Sequence, residues 1–252
     1  MIKKITVVAC GLLLAACSSS GGDKPAGAGD LSGSITVYAA ASLKGTFTEL
    51  ADRFKTAHPG TDITFQFGSS GDLATQITQG APADVFASAA TKNMDDVVKA
   101  GDAIGPVDIA SNSAEIAVPK DNPARIGSVD DLAKAKVALC VATAPCGRLA
   151  ATVLDNAKVK LTPTTEGADV KATLALVESG EVDAGIVYVT DVIADGGRVV
   201  GVEIPDDINS TTKYPLATIK ETKNPALAKA WVDYVSGPAG RAELSEAGFA
   251  AP

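Results

Sequence analysis

Apolar positions along this chain follow two periods in turn. Ser34-Ile35-Thr36-Val37-Tyr38-Ala39 predicts a strand, and Leu43, Phe47, Leu50 and Phe54 then recur at the three- and four-residue spacing of one helix face. The order repeats. Asp62-Ile63-Thr64-Phe65-Gln66-Phe67 precedes a helical set at Leu73, Ala74 and Ile77, and Val85-Phe86-Ala87 precedes Met94, Val97 and Val98. Strands alternating with helices in this way predict a parallel α/β construction. A strand from Ala114 to Val118 runs into the turn between Pro119 and Pro123, and Val137-Ala138-Leu139-Cys140 leads to a helix through Leu149, Val153 and Leu154. A helix through Val170, Leu174 and Val177, a buried strand from Ala184 to Tyr188 and a strand near Val199 to Ile204 continue this second set. Tyr214 to Ile219 reads as a strand returning to the first set, and a helix from Ala226 to Val235 closes the chain. We read two α/β lobes joined by more than one crossing. Periodicity does not show strand order, which leaves a single continuous sheet open.

The amino end changes the picture. Lys3 and Lys4 precede an apolar run from Ile5 to Leu14 and then Leu14-Ala15-Ala16-Cys17, the order of a secretory signal with its cleavage site, here residues 1–16. The run is well short of the roughly 20 residues that span a bilayer. Leu-Ala-Ala-Cys resembles a bacterial lipobox, which makes Cys17 the expected lipidation site and the membrane anchor. Residues 17–32 are rich in Ser, Gly and Ala and lack large apolar side chains up to Leu31, as a flexible tether does.

Of the four cysteines, Cys10 leaves with the signal and Cys17 carries lipid, so Cys140 and Cys146 remain. In an exported protein two thiols this close are expected to pair, and so short a loop is worth roughly 2 kcal/mol in the chain-entropy model. There is no CxxC to support thiol redox chemistry. Loss of Lys3 and Lys4 with the signal takes the formal charge from -8 to -10. An acidic chain without an arginine-rich or basic-aromatic run is not expected to bind nucleic acid.

Four junctions between a strand and a helix share a feature: Ala41-Ser42-Leu43, Ser69-Ser70-Gly71-Asp72, Pro145-Cys146-Gly147 and Gly167-Ala168-Asp169-Val170. Serines at such places are expected to cap the helix, and the first helical N–H groups lack partners within the helix. With the positive end of the helix dipole they bind anions without any formal positive charge, so an acidic protein can still be an anion receptor. The junctions also lie at the carboxyl ends of strands, where open α/β sheets bind ligands. A hydrolase using Ser42 or Ser70 as nucleophile fares poorly. A serine needs a positioned base, and the single histidine, His58, sits in the turn His58-Pro59-Gly60. No Gly-x-Ser-x-Gly arrangement occurs, and neither Ser42 nor Ser70 stands in a Ser-x-x-Lys arrangement.

Three segments carry a resemblance: Val37-Tyr38-Ala39-Ala40-Ala41-Ser42-Leu43, Phe67-Gly68-Ser69-Ser70-Gly71-Asp72-Leu73-Ala74-Thr75-Gln76-Ile77, and Gly80-Ala81-Pro82-Ala83-Asp84-Val85-Phe86-Ala87-Ser88-Ala89. With Asp169-Val170, Ala175-Leu176-Val177-Glu178, Gly185-Ile186-Val187-Tyr188 and the ending from Trp231 to Phe249, the chain resembles the periplasmic molybdate-binding proteins of ABC importers. The resemblance implies an α/β, two-lobed type II periplasmic-binding-protein fold with the ligand cleft between the lobes and the second lobe inserted into the first. Lobe I is then expected at 33–112 plus 213–252 and lobe II at 113–212. It implies ligand contacts at Ser42, Ser70, Cys146, Val170 and Tyr188: hydroxyl and backbone donors from the serines, backbone N–H groups from Cys146 and Val170, and the phenol of Tyr188. The family position of Cys146 is often alanine, a change that a backbone donor tolerates.

The resemblance further implies molybdate or tungstate as cargo and an ABC permease as partner. It implies no catalysis and no cofactor, a monomer, and molybdenum present only as the bound oxyanion. Sulfate is the serious alternative ligand, being also a fully ionised tetrahedral dianion. Iron would require clustered Tyr, His or carboxylate ligands, and phosphate, partly protonated at neutral pH, would favour a carboxylate acceptor. Asp84 is expected to be structural. Lys44, Arg148 and Lys171 each lie within a turn of an expected contact and are expected to be solvated, as are most exposed cations.

Overall fold

The first strand, β1 (Gly33–Ala40), is flanked on both sides: β2 (Thr61–Gly68) and β3 (Val85–Ala87) pair with it in parallel. Val37 to Ala40 are therefore buried on both faces of the sheet, and the strand reads as a near-continuous apolar run. The structure is a computed structural model and describes residues 31–252. The expected signal (1–16), Cys17 and the tether up to residue 30 lie outside the described residues.

Helices α1 (Lys44–Ala57), α2 (Ser70–Thr78) and α3 (Thr91–Ala100) follow the three strands. The periodic set on α1 is fully buried, with Phe47 and Phe54 meeting the Trp231 ring edge-on at 5.9 and 5.5 Å. The chain then runs through β4 (Ala103–Pro119), β5 (Val137–Cys140), α4 (Pro145–Ala157), β6 (Thr165–Gly167), α5 (Val170–Glu178), β7 (Ala184–Tyr188), α6 (Val189–Ala194) and β8 (Val199–Val202). It ends with β9 (Thr211–Ile219), α7 (Pro225–Ser236), which carries Trp231, and α8 (Pro238–Glu246).

Strand order is β2-β1-β3-β9-β4-β7-β5-β6, with β8 also on β4. The long β4 serves two sets of partners. Its residues from Ala103 to Ser113 pair antiparallel with β9, whereas Ala114 to Ala117 pair with β7 and Ile116 to Pro119 with β8. Hydrogen bonding is thus continuous through one shared strand, while each half of the ladder has its own helices. The two readings left open by periodicity describe the same object.

The strand expected at Ala114 to Val118 is 17 residues long instead of five because its first part is invisible to a hydrophobic scan. Gly105-Pro106 interrupts it, the register shifts between Ile104 and Val107, and polar Ser111-Asn112-Ser113 follows. Among the described residues no helix is long and apolar enough to cross a membrane.

Candidate functional site

The junctions at the ends of β1 and β2 and at the starts of α4 and α5 converge on one cavity, closed by Ala89 after β3 and by Tyr188 at the end of β7. All five residues singled out in the sequence, Ser42, Ser70, Cys146, Val170 and Tyr188, line it. The cavity volume is about 10 Å³, far below the roughly 300 to 1,000 Å³ of pockets for drug-sized ligands. The space suits only a very small ligand; a sugar or a peptide does not fit.

The serines do not do what the sequence suggested. Neither Ser42 nor Ser69, the residue just before α2, caps a helix with its side chain. Ser42 Oγ instead lies 2.9 Å from the Tyr214 hydroxyl, and Ser70 Oγ accepts the Ala89 N–H at 2.9 Å. Because the Ser70 oxygen is already engaged as an acceptor, its proton is free to be donated into the cavity. With no side chain over them, the N–H groups at the start of α2 stay available. The α4 start is the same, with Pro145 in the first turn and no side-chain cap. At α5 the Asp169 carboxylate accepts the Ala172 N–H at 2.9 Å, which leaves the N–H of Val170 two residues earlier without such a partner.

Cys140 and Cys146 are disulfide-bonded, with Cα atoms 5.7 Å apart, and tie the end of β5 to the first turn of α4. The next residue must be glycine on steric grounds: a Cβ at Gly147 would stand 2.7 Å from the Cys140 carbonyl oxygen. The loop presenting the Cys146 N–H is therefore held by a covalent bond and by direct backbone packing.

Two hydroxyls stand out. Tyr188 Oη and Ser69 Oγ are buried and have no hydrogen-bond partner among the described residues, although each belongs to a residue lining the cavity. A buried donor left unpaired costs about 1 to 3 kcal/mol, so such atoms mark the place of a missing acceptor. Burial holds the Tyr188 phenol well above its ordinary range, with the neighbouring Tyr214 and Asp191 adding to the shift, so it stays protonated and able to donate. Among the described residues, the only ionisable carboxylate on the wall is Asp169, which already caps α5, and no lysine or arginine lines the cavity.

Tyr214 and Ser69 were missed in the sequence. Tyr214 lies far from Ser42 along the chain and reads as an ordinary strand residue; it is wholly buried, and its hydroxyl also accepts from Asn112 Nδ2 at 3.4 Å. Ser69 shared its junction with Ser70 and carried no signal of its own. The expectation of solvated cations holds for Lys44, which is exposed, and fails for the other two. Lys171 pairs at 2.8 Å with Asp191, whose side chain is wholly buried, and Arg148 is bonded to Asn93 and Thr143. Asp84 is structural: it accepts the Thr36 N–H and the Thr222 hydroxyl, joining β1 to the segment after β9. His58 ends α1 with its ring 4.5 Å from Phe54. Among the described residues no three His, Cys, Asp or Glu side chains gather as they would for a metal ion.

Comparison with known proteins agrees with this geometry. Residues 35–250 match the family model described as bacterial extracellular solute-binding protein. A protein of Mycobacterium tuberculosis named molybdate-binding protein ModA is 40% identical over 249 residues, covering 98% of this chain and 93% of its own. A Bacillus subtilis protein named putative ABC transporter substrate-binding lipoprotein YvgL is 32% identical over 265 residues, covering both chains completely. Among solved structures, the Azotobacter vinelandii periplasmic molybdate-binding protein superposes with a TM-score of 0.76 over 86% of this chain and 99% of its own. At 22% identity that likeness speaks for the two-lobed fold alone.

Proposed function

The chain belongs to the bacterial extracellular solute-binding proteins, and from that premise we propose that it captures molybdate, with tungstate as a near equivalent, for an ABC importer. It is a carrier that works outside the cytoplasm, not an enzyme. The observation that carries the ligand reading is the unpartnered, buried Tyr188 hydroxyl beside a cavity rimmed by helix starts. Ser42, Ser70, Cys146, Val170 and Tyr188 are the proposed donors, and every one is neutral. Neutral donors aimed at a small dry space suit a fully ionised oxyanion, since the helix dipoles supply the compensating potential.

The donors come from both sides of the cleft, so the ligand favours the closed arrangement by the contacts it adds there. The bodies that close are lobe I, 33–112 plus 213–252, and lobe II, 113–212. Selectivity over sulfate follows from size: the smaller dianion does not reach every donor and leaves some unsatisfied. Calorimetric titration of the purified protein with molybdate, tungstate, sulfate and phosphate tests the reading. Molybdate and tungstate should bind most tightly. Sulfate binding as tight as molybdate would keep the site and overturn the ligand, and a preference for phosphate would point to Asp169 as an acceptor.

Cys17 is the proposed membrane anchor, on the strength of its Leu-Ala-Ala-Cys setting and of the lipoprotein named among its relatives. The carrier then acts as a tethered monomer beside its permease. Cys17→Ser should move the protein from the membrane fraction to the soluble extracytoplasmic fraction. An unchanged membrane fraction would refute the anchor.

A further inference from the structure

Away from the cavity, one set of contacts joins the two lobes directly. Arg148, on the first turns of α4, donates from Nη1 to the Thr143 carbonyl of its own lobe at 2.5 Å. From Nη2 it donates across the cleft to Asn93 Oδ1 on α3, also at 2.5 Å. Asn93 is buried and Arg148 half-buried, so the bond between them is partly shielded from water. Beside it the backbones of the lobes nearly touch. A Cβ added at Gly71, at the start of α2, would lie 2.6 Å from the Thr143 carbonyl oxygen and 3.7 Å from Asn93 Nδ2. Neither Arg148 nor Asn93 nor Thr143 lines the cavity.

We propose that Arg148 is a closing latch: braced by the Thr143 carbonyl, it reaches Asn93 only when the lobes are shut, and Gly71 is the notch that lets them shut. The proposal rests on the anion-carrier reading above. Its role is to hold a closed complex, not to touch the anion, and its signature is therefore kinetic. Contacts that form only on closing slow dissociation and leave the encounter with the open form unchanged. The guanidinium fork matters because two acceptors in different lobes are met at once. A lysine, with a single point charge, does not replace it.

The test measures association and dissociation rates for molybdate, tungstate, sulfate and phosphate with the full-length protein, judged on whichever of the four the parent retains. Asn93→Ala and Arg148→Gln should each speed dissociation by about 10-fold to 150-fold, the range expected for a hydrogen bond to a charged group, with association changed less than about 2-fold. The Asn93→Ala, Arg148→Gln double variant should dissociate no faster than the worse single variant, because both remove one bond. Arg148→Lys should not restore the parent rate. Gly71→Ala should also speed dissociation while leaving the thermal midpoint of the ligand-free protein in place, since the added methyl meets nothing until the cleft closes. Unchanged dissociation in the variants, or additive effects in the double variant, overturns the latch. A parent that binds none of the four anions overturns the carrier reading instead, and a parent that binds one of them with no difference from its variants overturns the latch alone.

Discussion

A Ser42→Ala, Ser70→Ala double variant should bind molybdate on the order of 100-fold to 10⁴-fold more weakly than the parent. Each serine hydroxyl facing a dianion is worth roughly 1.5 to 3 kcal/mol, and the two contributions add to the extent that the donors act independently. The geometry also says what else each change disturbs. Removing Ser70 Oγ strands the buried Ala89 N–H, and removing Ser42 Oγ takes a partner from the Tyr214 hydroxyl, which burial keeps protonated. Some loss of stability is therefore expected, and a melting curve separates it from loss of binding. Tyr188→Phe is the cleaner companion. It deletes a hydroxyl that has no hydrogen-bond partner among the described residues, so stability should hold or rise while affinity falls by about 10-fold to 150-fold. Titration calorimetry on the three proteins decides the matter. A double variant that titrates like the parent would mean that the anion sits elsewhere.

The second large effect concerns Lys171. Its ammonium meets Asp191 Oδ1 at 2.8 Å, and the aspartate side chain is wholly buried whereas the lysine is 33% exposed. Taking away one partner of a buried pair costs about 3 to 5 kcal/mol, and the partial exposure of Lys171 places Lys171→Met toward the lower end. The loss should depend on pH in a definite sense. Burial raises the Asp191 carboxyl above its ordinary value, more than the attraction of Lys171 lowers it. A carboxyl whose folded value lies above its unfolded one binds its proton more tightly in the folded state, so stability falls as pH rises between the two. Without Lys171 the folded value rises further. The gap between variant and parent should thus be widest near neutral pH and close as pH falls through the two folded-state values, both of which lie above that of the free carboxyl. Urea unfolding across that range measures it; a gap that does not change with pH would remove Asp191 from the explanation. Binding should suffer as well, because Asp191 Oδ2 accepts the Tyr188 N–H at 3.3 Å and so anchors a proposed donor.

Much of this architecture could be read from side-chain period. The strand-then-helix order from β1 to α3 was legible because Leu43, Phe47, Leu50 and Phe54, and the matching sets after β2 and β3 apart from the exposed Val98, are buried where the spacing says they should be. The pieces missed had weak or contrary local signals. β6 is three residues with only Gly167 buried, α6 is a six-residue helix in which Val189, Thr190, Val192 and Ile193 are β-branched, and α8 has few apolar positions. The candidate site divides in the same way. Helix starts and Tyr188 lie within motifs that can be recognised along the chain. Tyr214 beside Ser42, Asn93 beneath Arg148 and Ser69 without a partner are meetings of residues from different elements, and no local pattern encodes them. The serines line the cavity but do not cap helices, since capping is a local rule and the competing Tyr214 and Ala89 groups arrive from distant strands.

The shared strand β4 also bears on the order in which the chain can assemble. Every strand paired with its far half, and β5 and β6 beyond them, lies between Val137 and Val202, so that half of the ladder has all its partners within one uninterrupted stretch. The other half is open until the end: Val85 of β3 meets Thr218 of β9, and β4 meets β9 as far as Ile219. Closing so long a loop has a large entropic cost before any contact offsets it, and pairings of high sequence separation form slowly. A chain emerging amino end first therefore carries β3 as a bare, apolar edge while the later-encoded half is already able to fold, and only the arrival of β9 covers it.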